Sequence, residues 1–270
     1  FIMQFVSLSS GSSGNCYYIQ HDGYGMLVDL GIGIRIFKRH CQNYGIKPGS
    51  LCSMLVTHDH TDHVKAVGAL SSHLNLPVYT SEAVHQSIQR NHHVSKKVPR
   101  ELQHILTRHT PLTLGPFTVT QFAVPHDSAD NNGYLIACGP VRLVIATDIG
   151  HFTDEIAAKV RQATHLVVEA NYDPHMLATG RYPKMLQDRI SGPYGHISNA
   201  ETGDFLAQHL DADHIRHVWL CHLSEENNTP SLAFDTVAHA LREAHFRVNE
   251  ADGLKLDVLP RRTPTLPFTL

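Results

Sequence analysis

The sequence contains a dense cluster of histidine and aspartate at residues 58–63, where it reads His-Asp-His-Thr-Asp-His. The cluster follows an apolar segment at 53–57 that is typical of a buried strand. Three imidazoles and a carboxylate packed this closely cannot all lie on one face of a strand or helix. A loop folded around a divalent cation accounts for the pattern, because such ions bind imidazole and carboxylate; the candidate ligands are His58, His60, Asp62 and His63.

Chance clustering has to be weighed, because the chain has 22 histidines among 270 residues. Four specified positions within six residues, directly after a strand, are nevertheless an uncommon coincidence. Most other histidines lack a ligand-like context and are expected to be solvated, as at His92, His93, His209, His214, His239 and His245.

Three more residues of the right chemistry stand at the ends of apolar segments. His126, Asp148 and His222 each follow a segment that reads as a buried strand. Singly, a strand-end aspartate is often a turn residue and a strand-end histidine is often solvated. As a set they lie at carboxyl ends of strands, where loops gather functional side chains at one edge. The sequence therefore predicts a metal site built from several loops.

The order of strands and helices along the chain predicts the fold that positions these loops. In each half of the chain short strands come first and helices follow, which predicts an α/β sandwich of two β-rich layers covered by helices. We predict one domain at 3–259 and a C-terminal tail at 260–270. Strands are predicted at 4–9, 16–21, 26–29, 54–57, 78–80, 117–124, 134–138, 141–147, 165–169, 217–221 and within 247–259. Helices are predicted at 34–44, 64–74, 82–91, 153–162, 200–209 and 232–244.

Composition and charge limit the class of protein and the compartment in which it is expected to work. The formal charge of −3 argues against a protein that is basic all over, although local Lys/Arg patches and bound ions can still attract nucleic acid. Five cysteines without a C-x-x-C motif favour a reduced, cytoplasmic protein without disulfides. There is no apolar stretch of 18 residues, so no membrane association is expected. The oligomeric state cannot be read from the sequence.

The ordered set of His58, His60, Asp62, His63, His126, Asp148 and His222 resembles the ligand set of metallo-β-lactamase-fold hydrolases. Asp29, in Leu-Val-Asp-Leu-Gly, matches the early aspartate that supports the metal loop in that superfamily. Three further segments, 9–15, 195–199 and 222–228, are similar to the bacterial YycJ/WalJ branch. The resemblance implies a four-layer αβ/βα sandwich and a cytoplasmic two-metal phosphodiesterase, associated in that branch with 5′-to-3′ exonuclease activity on DNA.

The resemblance also implies a division of the ligands. One ion would be held by His58, His60 and His126, the other by Asp62, His63 and His222, with Asp148 bridging. Two such ions would share a hydroxide as nucleophile and neutralise charge on the phosphate. Zinc is the first expectation, and manganese, iron or nickel are alternatives because these donors accept all four.

Substrate contacts are predicted near a helix start. His196 precedes a helix that opens at Ser198 or Asn199, where free N–H groups favour a phosphate. We therefore expect these three residues to bind the substrate phosphate, with His196 as a proton donor; an ordinary helix cap is the alternative. Asp59 is expected either to orient the nucleophilic water or to hydrogen-bond a neighbouring imidazole.

Other substrates remain open at this point. A small cyclic phosphodiester would suit the same metals, as would a lactone or thioester. The phosphate-binding character expected at 196–199 favours a phosphodiester over a neutral acyl group. A non-catalytic binding scaffold is disfavoured, because all seven ligand positions are filled.

Overall fold

The computed structural model describes residues 2–270. The chain forms two compact units that are discontinuous in sequence. The first comprises the chain up to Gln121 together with 128–132 and 260–270, and the second comprises 122–127 and 133–259. Each unit has a mixed β-sheet, accompanying helices and its own apolar core.

The sheet of the first unit has the order β14-β1-β2-β3-β4-β5-β6. Its strands, numbered along the chain, are β1 (Gln4–Ser9), β2 (Cys16–His21), β3 (Tyr24–Val28), β4 (Leu51–Leu55), β5 (Val78–Thr80), β6 (Gln103–Ile105) and β14 (Phe268–Thr269). Strands β1, β2 and β3 are antiparallel neighbours, whereas β3 to β6 run parallel. The helices of this unit are α1 (Ile34–Tyr44), α2 (Thr61–Val64), α3 (Val67–Leu74) and α4 (Glu82–Arg90).

Most of these elements match the sequence-based prediction, and the exceptions have local causes. Helix α1 has the predicted bounds and ends at Gly45, whose φ of 66° lies in the left-handed region that favours glycine. The helix predicted at 64–74 is present over 67–74 only, because the chain breaks between α2 and α3. Ala66 leaves the helical conformation and donates its N–H to Leu30 O. The break places His63 on a separate short turn.

Residues 260–270, predicted as a tail, are part of the first unit. Strand β14 pairs with β1, and Thr265 N–H donates to Ser7 O at 2.9 Å. The segment therefore covers the edge of β1, which would otherwise present unpaired backbone groups.

Strands β7 (Leu112–Leu114) and β8 (Phe117–Ala123) form an antiparallel hairpin. The chain enters the second unit within β8, at residue 122. In the second unit five strands lie in the order β13-β12-β11-β10-β9. They are β9 (Asn132–Cys138), β10 (Val141–Ala146), β11 (His165–Glu169), β12 (His217–Cys221) and β13 (Lys255–Val258). Because β10 to β13 are parallel, their carboxyl ends lie at one edge.

Five helices belong to the second unit: α5 (Asp154–Val160), α6 (Pro174–Thr179), α7 (Lys184–Ile190), α8 (Asn199–His209) and α9 (Pro230–Glu243). Helices α6 and α7 were not predicted, since both are short and largely exposed and lack a strong apolar period. The β structure predicted over 247–259 is confined to β13 and an isolated bridge. All five cysteines are free thiols, and no helix in residues 2–270 is long and apolar enough to cross a membrane.

A buried imidazole in the second unit makes its stability depend on pH. His165 is 8% exposed at the start of β11, and burial together with the charges of His217 and Arg216 lowers its pKa from 6.5 to about 4. Below pH 6.5 the unfolded chain binds a proton that the folded chain resists, so stability falls as the pH falls. We expect His165 to account for a loss of about 3 kcal/mol between pH 7 and pH 4.

Urea unfolding of chelated protein at both pH values measures this loss. In His165→Gln the decrease in unfolding free energy from pH 7 to pH 4 should be about 3 kcal/mol smaller than in the wild type. His239→Gln, at an exposed position, is the matched control and should show the same decrease as the wild type. An unchanged pH dependence in His165→Gln would contradict the assignment.

Candidate metal centre

Strand β4 leads into the loop that carries the first four predicted ligands. His58 and His63 are fully buried, whereas His60 and Asp62 are partly exposed. The ring centroid of His58 lies 4.7 Å from that of His60 and 4.1 Å from that of His63. The loop therefore gathers three imidazoles within contact distance, with Asp62 Oδ2 at 3.6 Å from His63 Nε2.

Asp29 lies beneath this loop, as the sequence resemblance led us to expect. Its Oδ2 accepts from His63 Nδ1 at 2.7 Å and from the Thr57 hydroxyl at 2.7 Å, and its Oδ1 accepts from Thr57 N–H at 2.8 Å. With Nδ1 committed to the carboxylate, the lone pair of His63 is on Nε2. A carboxylate in this position fixes both the tautomer and the direction of a ligand imidazole.

The Ser/Gly-rich segment at 9–15 positions a residue that sequence reasoning missed. Asn15 is fully buried, exchanges hydrogen bonds with the backbone of Gly11, and donates from Nδ2 to Asp62 O at 3.3 Å. Its Nδ2 also lies 3.1 Å from His63 Nε2. The motif therefore buttresses the Asp62–His63 turn rather than cradling a phosphate.

In the second unit two predicted ligands, His126 and His222, converge on the carboxylate of a third, Asp148. Asp148 Oδ1 lies 3.6 Å from His126 Nε2 and 3.6 Å from His222 Nε2. The Nδ1 atom of His126 donates to Gly195 O at 2.9 Å, so its Nε2 lone pair is directed toward Asp148. All three side chains are buried. The parallel strands explain the convergence, because Asp148 and His222 follow β10 and β12.

Glu169, at the carboxyl end of the intervening strand β11, organises these side chains. It is fully buried, and its Oε1 lies 2.7 Å from His196 Nδ1 and 3.2 Å from His222 Nδ1. Its Oε2 accepts from the backbone N–H of Ile149 at 2.7 Å. One carboxylate thus directs two imidazoles and fixes the backbone beside Asp148. The only signal for this role in the sequence is weak, namely a carboxylate that ends an otherwise apolar strand.

The Glu169–His196 pair sets the charge of the site. For Glu169, burial raises the pKa, but the charge and hydrogen bond of His196 outweigh it, so the pKa is lowered. For His196, burial lowers the pKa, but the carboxylates of Glu169 and Asp148 more than compensate and raise it. The pair therefore favours a charged carboxylate beside a charged imidazole, with the second His196 proton on Nε2.

Strained backbone marks three of these positions. Asp29, Asp148 and His222 have φ values of 61°, 57° and 54°, in the left-handed region that non-glycine residues rarely occupy. Asp29 and His222 directly follow β3 and β12, and Asp148 lies two residues after the end of β10. Strain of this kind persists only where surrounding contacts impose it, and it clusters at functional sites.

The structure gives Ser198 and Asn199 partners within the protein. Ser198 caps α8 in a capping box with Glu201, so its hydroxyl and N–H are both engaged. The Asn199 side chain exchanges hydrogen bonds with Asn228 at 2.9 and 2.8 Å. Both residues are buried. These contacts are those of the helix cap weighed as the alternative, and the phosphate contact of the two residues stays a prediction.

Asp59 has a different environment from its neighbours in the loop. Its Oδ2 accepts from the Ser87 hydroxyl at 2.5 Å, and its Oδ1 accepts from Ala129 N–H at 3.2 Å. These contacts join the loop to α4 and to the 128–132 segment, both within the first unit. The role expected for Asp59 in orienting water stays a prediction, whereas its contacts are those of a residue that holds the loop.

The donors suit divalent ions in each unit. Imidazole and carboxylate are borderline to hard ligands, and the Nδ1 atoms of His63, His126 and His222 lie within hydrogen-bond distance of protein oxygens. Within the second unit, ligand atoms of Asp148, Glu169, His196 and His222 all lie within 4.8 Å of one another. These are the residues that would hold and surround a metal ion.

Comparison with known proteins supports the same interpretation. Residues 26–223 match the family model described as a beta-lactamase superfamily domain. The chain is 32% identical to the exodeoxyribonuclease YycJ of Bacillus anthracis, covering 92% of this chain and 93% of that protein. It is 31% identical to the exodeoxyribonuclease WalJ of Streptococcus pneumoniae, covering 91% and 90%. The metallo-β-lactamase-fold protein YhfI of Bacillus subtilis superposes with a TM-score of 0.69 at 18% identity, covering 98% and 99%. The predicted fold and family resemblance are thereby confirmed.

A glycine packed against the loop provides one test. A Cβ built at Gly31 would lie 1.5 Å from Asp62 O, so Gly31→Ala must displace the turn that carries Asp62 and His63. We expect zinc affinity to fall about 10- to 100-fold, as for the loss of a residue that orients ligands. Competition with a chromophoric chelator measures it. Gly33→Ala is the matched control, because nothing lies within 4 Å of a Cβ there; equal effects in both variants would contradict the assignment.

The Glu169 carboxylate provides a second test. Glu169→Gln keeps the shape but removes the charge that holds the rings of His196 and His222, so turnover should fall about 10- to 100-fold. The pKa of His196 should also fall, because its principal counter-charge is gone, and NMR titration of the imidazole in chelated protein measures the change. Glu243→Gln, at an exposed helix position, is the control. A His196 pKa unchanged in Glu169→Gln would refute the pairing.

Proposed function

The chain belongs to the beta-lactamase superfamily of metal-dependent hydrolases, and on this basis we propose that it cleaves phosphodiester bonds in DNA as a 5′-to-3′ exonuclease. The similarity to two proteins named exodeoxyribonucleases extends over nine-tenths of the chain and supports this substrate. A cytoplasmic location, where DNA and reduced thiols occur together, suits the five free cysteines.

The observation that carries the proposal is the Glu169–His196 pair beside Asp148 and His222. Burial lowers the pKa of His196, but the carboxylates of Glu169, which lies 2.7 Å from Nδ1, and of Asp148 outweigh it and raise the pKa. A positive charge complements a phosphodiester, and its proton suits a departing sugar oxygen. A lactone or thioester carries no negative charge for this imidazole to complement.

We propose that His58, His60 and His126 would hold one divalent ion and that Asp62, His63 and His222 would hold a second, with Asp148 as a further ligand. Zinc is the expected ion, with manganese, iron or nickel as alternatives. When bound, two such ions supply an activated water near neutral pH and neutralise the charge of the phosphate.

The side chains of the protein have separate tasks in this scheme. Asp29 and Glu169 hold Nδ1 of His63 and His222, so that each ring presents Nε2. Glu169 also holds Nδ1 of His196, which leaves the Nε2 proton to be donated to the leaving oxygen. The ring of His196 is 20% exposed, which gives the substrate access to that atom.

Turnover on three substrates tests the proposal: bis(p-nitrophenyl) phosphate, 5′-phosphorylated duplex DNA and a simple lactone. We expect cleavage of the first two, lost on chelation and restored by zinc or manganese. Lactone turnover without phosphodiester cleavage would contradict it. His126→Ala and Asp148→Ala should abolish cleavage, whereas His239→Ala, at an exposed position, should not; a loss of only a few-fold in the first two would contradict the two-ion assignment.

A further inference from the structure

The segment between α6 and α8 has a surface unlike the rest of the second unit. Large apolar side chains that are exposed occur at only two places in that unit, as far as residues 2–270 are described, and both are in this segment. They are Met185, 84% exposed, and Tyr194, 58% exposed. Two exposed cationic side chains, Arg181 and Lys184, precede them in the chain. The stretch 181–194 therefore exposes apolar, aromatic and cationic side chains.

This segment is anchored to the His126 loop. The guanidinium of Arg189, in α7, reaches Asp127 Oδ2 from both Nε and Nη2 at 2.7 Å. The carbonyl of Gly195, directly after Tyr194, accepts from Nδ1 of His126. Tyr194 is therefore one residue away from the group that directs a predicted metal ligand.

The same segment is also packed against the Asp148 loop. A Cβ at Gly150 would lie 2.4 Å from Pro193 O and 2.6 Å from the Cα of Tyr194, so the two backbones touch. His151 Nδ1 donates to Pro193 O at 2.7 Å, and the His151 ring meets the Tyr194 ring edge-on at a centroid distance of 5.9 Å. Tyr194 is exposed but held in place by backbone contacts.

We propose that Tyr194, supported by His151, is a stacking platform for an unpaired base of single-stranded DNA, and that Arg181 and Lys184 contact the phosphates of the same strand. The inference rests on the proposed function, which places a DNA phosphodiester at Asp148 and His196. An aromatic face next to cationic side chains is the chemistry by which proteins hold single strands without reading sequence.

The existing contacts of two lysines bear on which cationic side chains can reach a phosphate. The ion pair of Lys184 with Asp188 is an exposed i,i+4 pair, which competes weakly with a phosphate. Lys97, by contrast, donates to Ile88 O and Asn91 O in the first unit.

Fluorescence anisotropy of a 3′-labelled, 5′-phosphorylated oligonucleotide with the full chain and chelator present measures the platform without turnover. Tyr194→Ala should raise Kd about tenfold, whereas Tyr194→Phe, which keeps the ring, should stay within about twofold. Arg181→Gln with Lys184→Gln should reduce the salt slope by roughly 1 to 1.5, at about 0.7 for each phosphate contact. Arg242→Gln, on the exposed side of α9, is the control.

A hydrolysis assay distinguishes failure of the stacking platform from failure of the proposed function. With metal present, Tyr194→Ala should raise KM for single-stranded DNA about tenfold with kcat within about twofold. An unchanged Kd and KM in a chain that degrades DNA would overturn the platform alone. Absence of phosphodiester cleavage by the wild-type chain would overturn the proposed function, while the binding measurement still decides the platform. Tighter binding of RNA, or of blunt duplex, than of single-stranded DNA would overturn the assignment to unpaired DNA.

Discussion

The carboxylate of Glu169 is the constraint on which the chemistry of the second unit depends. It is fully buried, and burying a charge is costly unless partners compensate. Here the partners are two imidazole Nδ1 atoms and the backbone N–H groups of Ile149 and Ile197, and every one of them belongs to or adjoins a residue of the candidate site. The cost of burial is thus offset by the contacts that orient the site.

Asp29 has the corresponding place in the first unit. Its carboxylate accepts from a ligand imidazole, a hydroxyl and a backbone N–H, as that of Glu169 accepts from imidazoles and a backbone N–H. Both carboxylates stand at the carboxyl end of a strand, and both are next to left-handed backbone, at Asp29 itself and at Asp148. In each unit one buried carboxylate therefore holds imidazoles through their Nδ1 atoms, which leaves the Nε2 atoms for coordination.

The sequence predicted what depends on local pattern and missed what depends on register between strands. The His/Asp loop at 58–63 was recognisable because residue type and a preceding apolar strand suffice. The role of Glu169 was not, because it arises from the parallel pairing of β11 with β10 and β12. The cap formed by Ser198 was one of two interpretations, because helix caps and phosphate sites use the same residues; Glu201, three positions later, was the signal of a capping box. Helices α6 and α7 escaped prediction because exposed short helices lack an apolar face.

The edge strand β14 has a consequence for synthesis and assembly. It completes the sheet of the first unit, yet the ribosome reaches it only after the whole second unit has been made. Until then β1 has an open edge able to pair with another chain. Neither unit can be obtained by a single cut, because the chain crosses between them several times. The protein therefore has to mature as one piece, and chains interrupted before residue 260 are the ones exposed to aggregation.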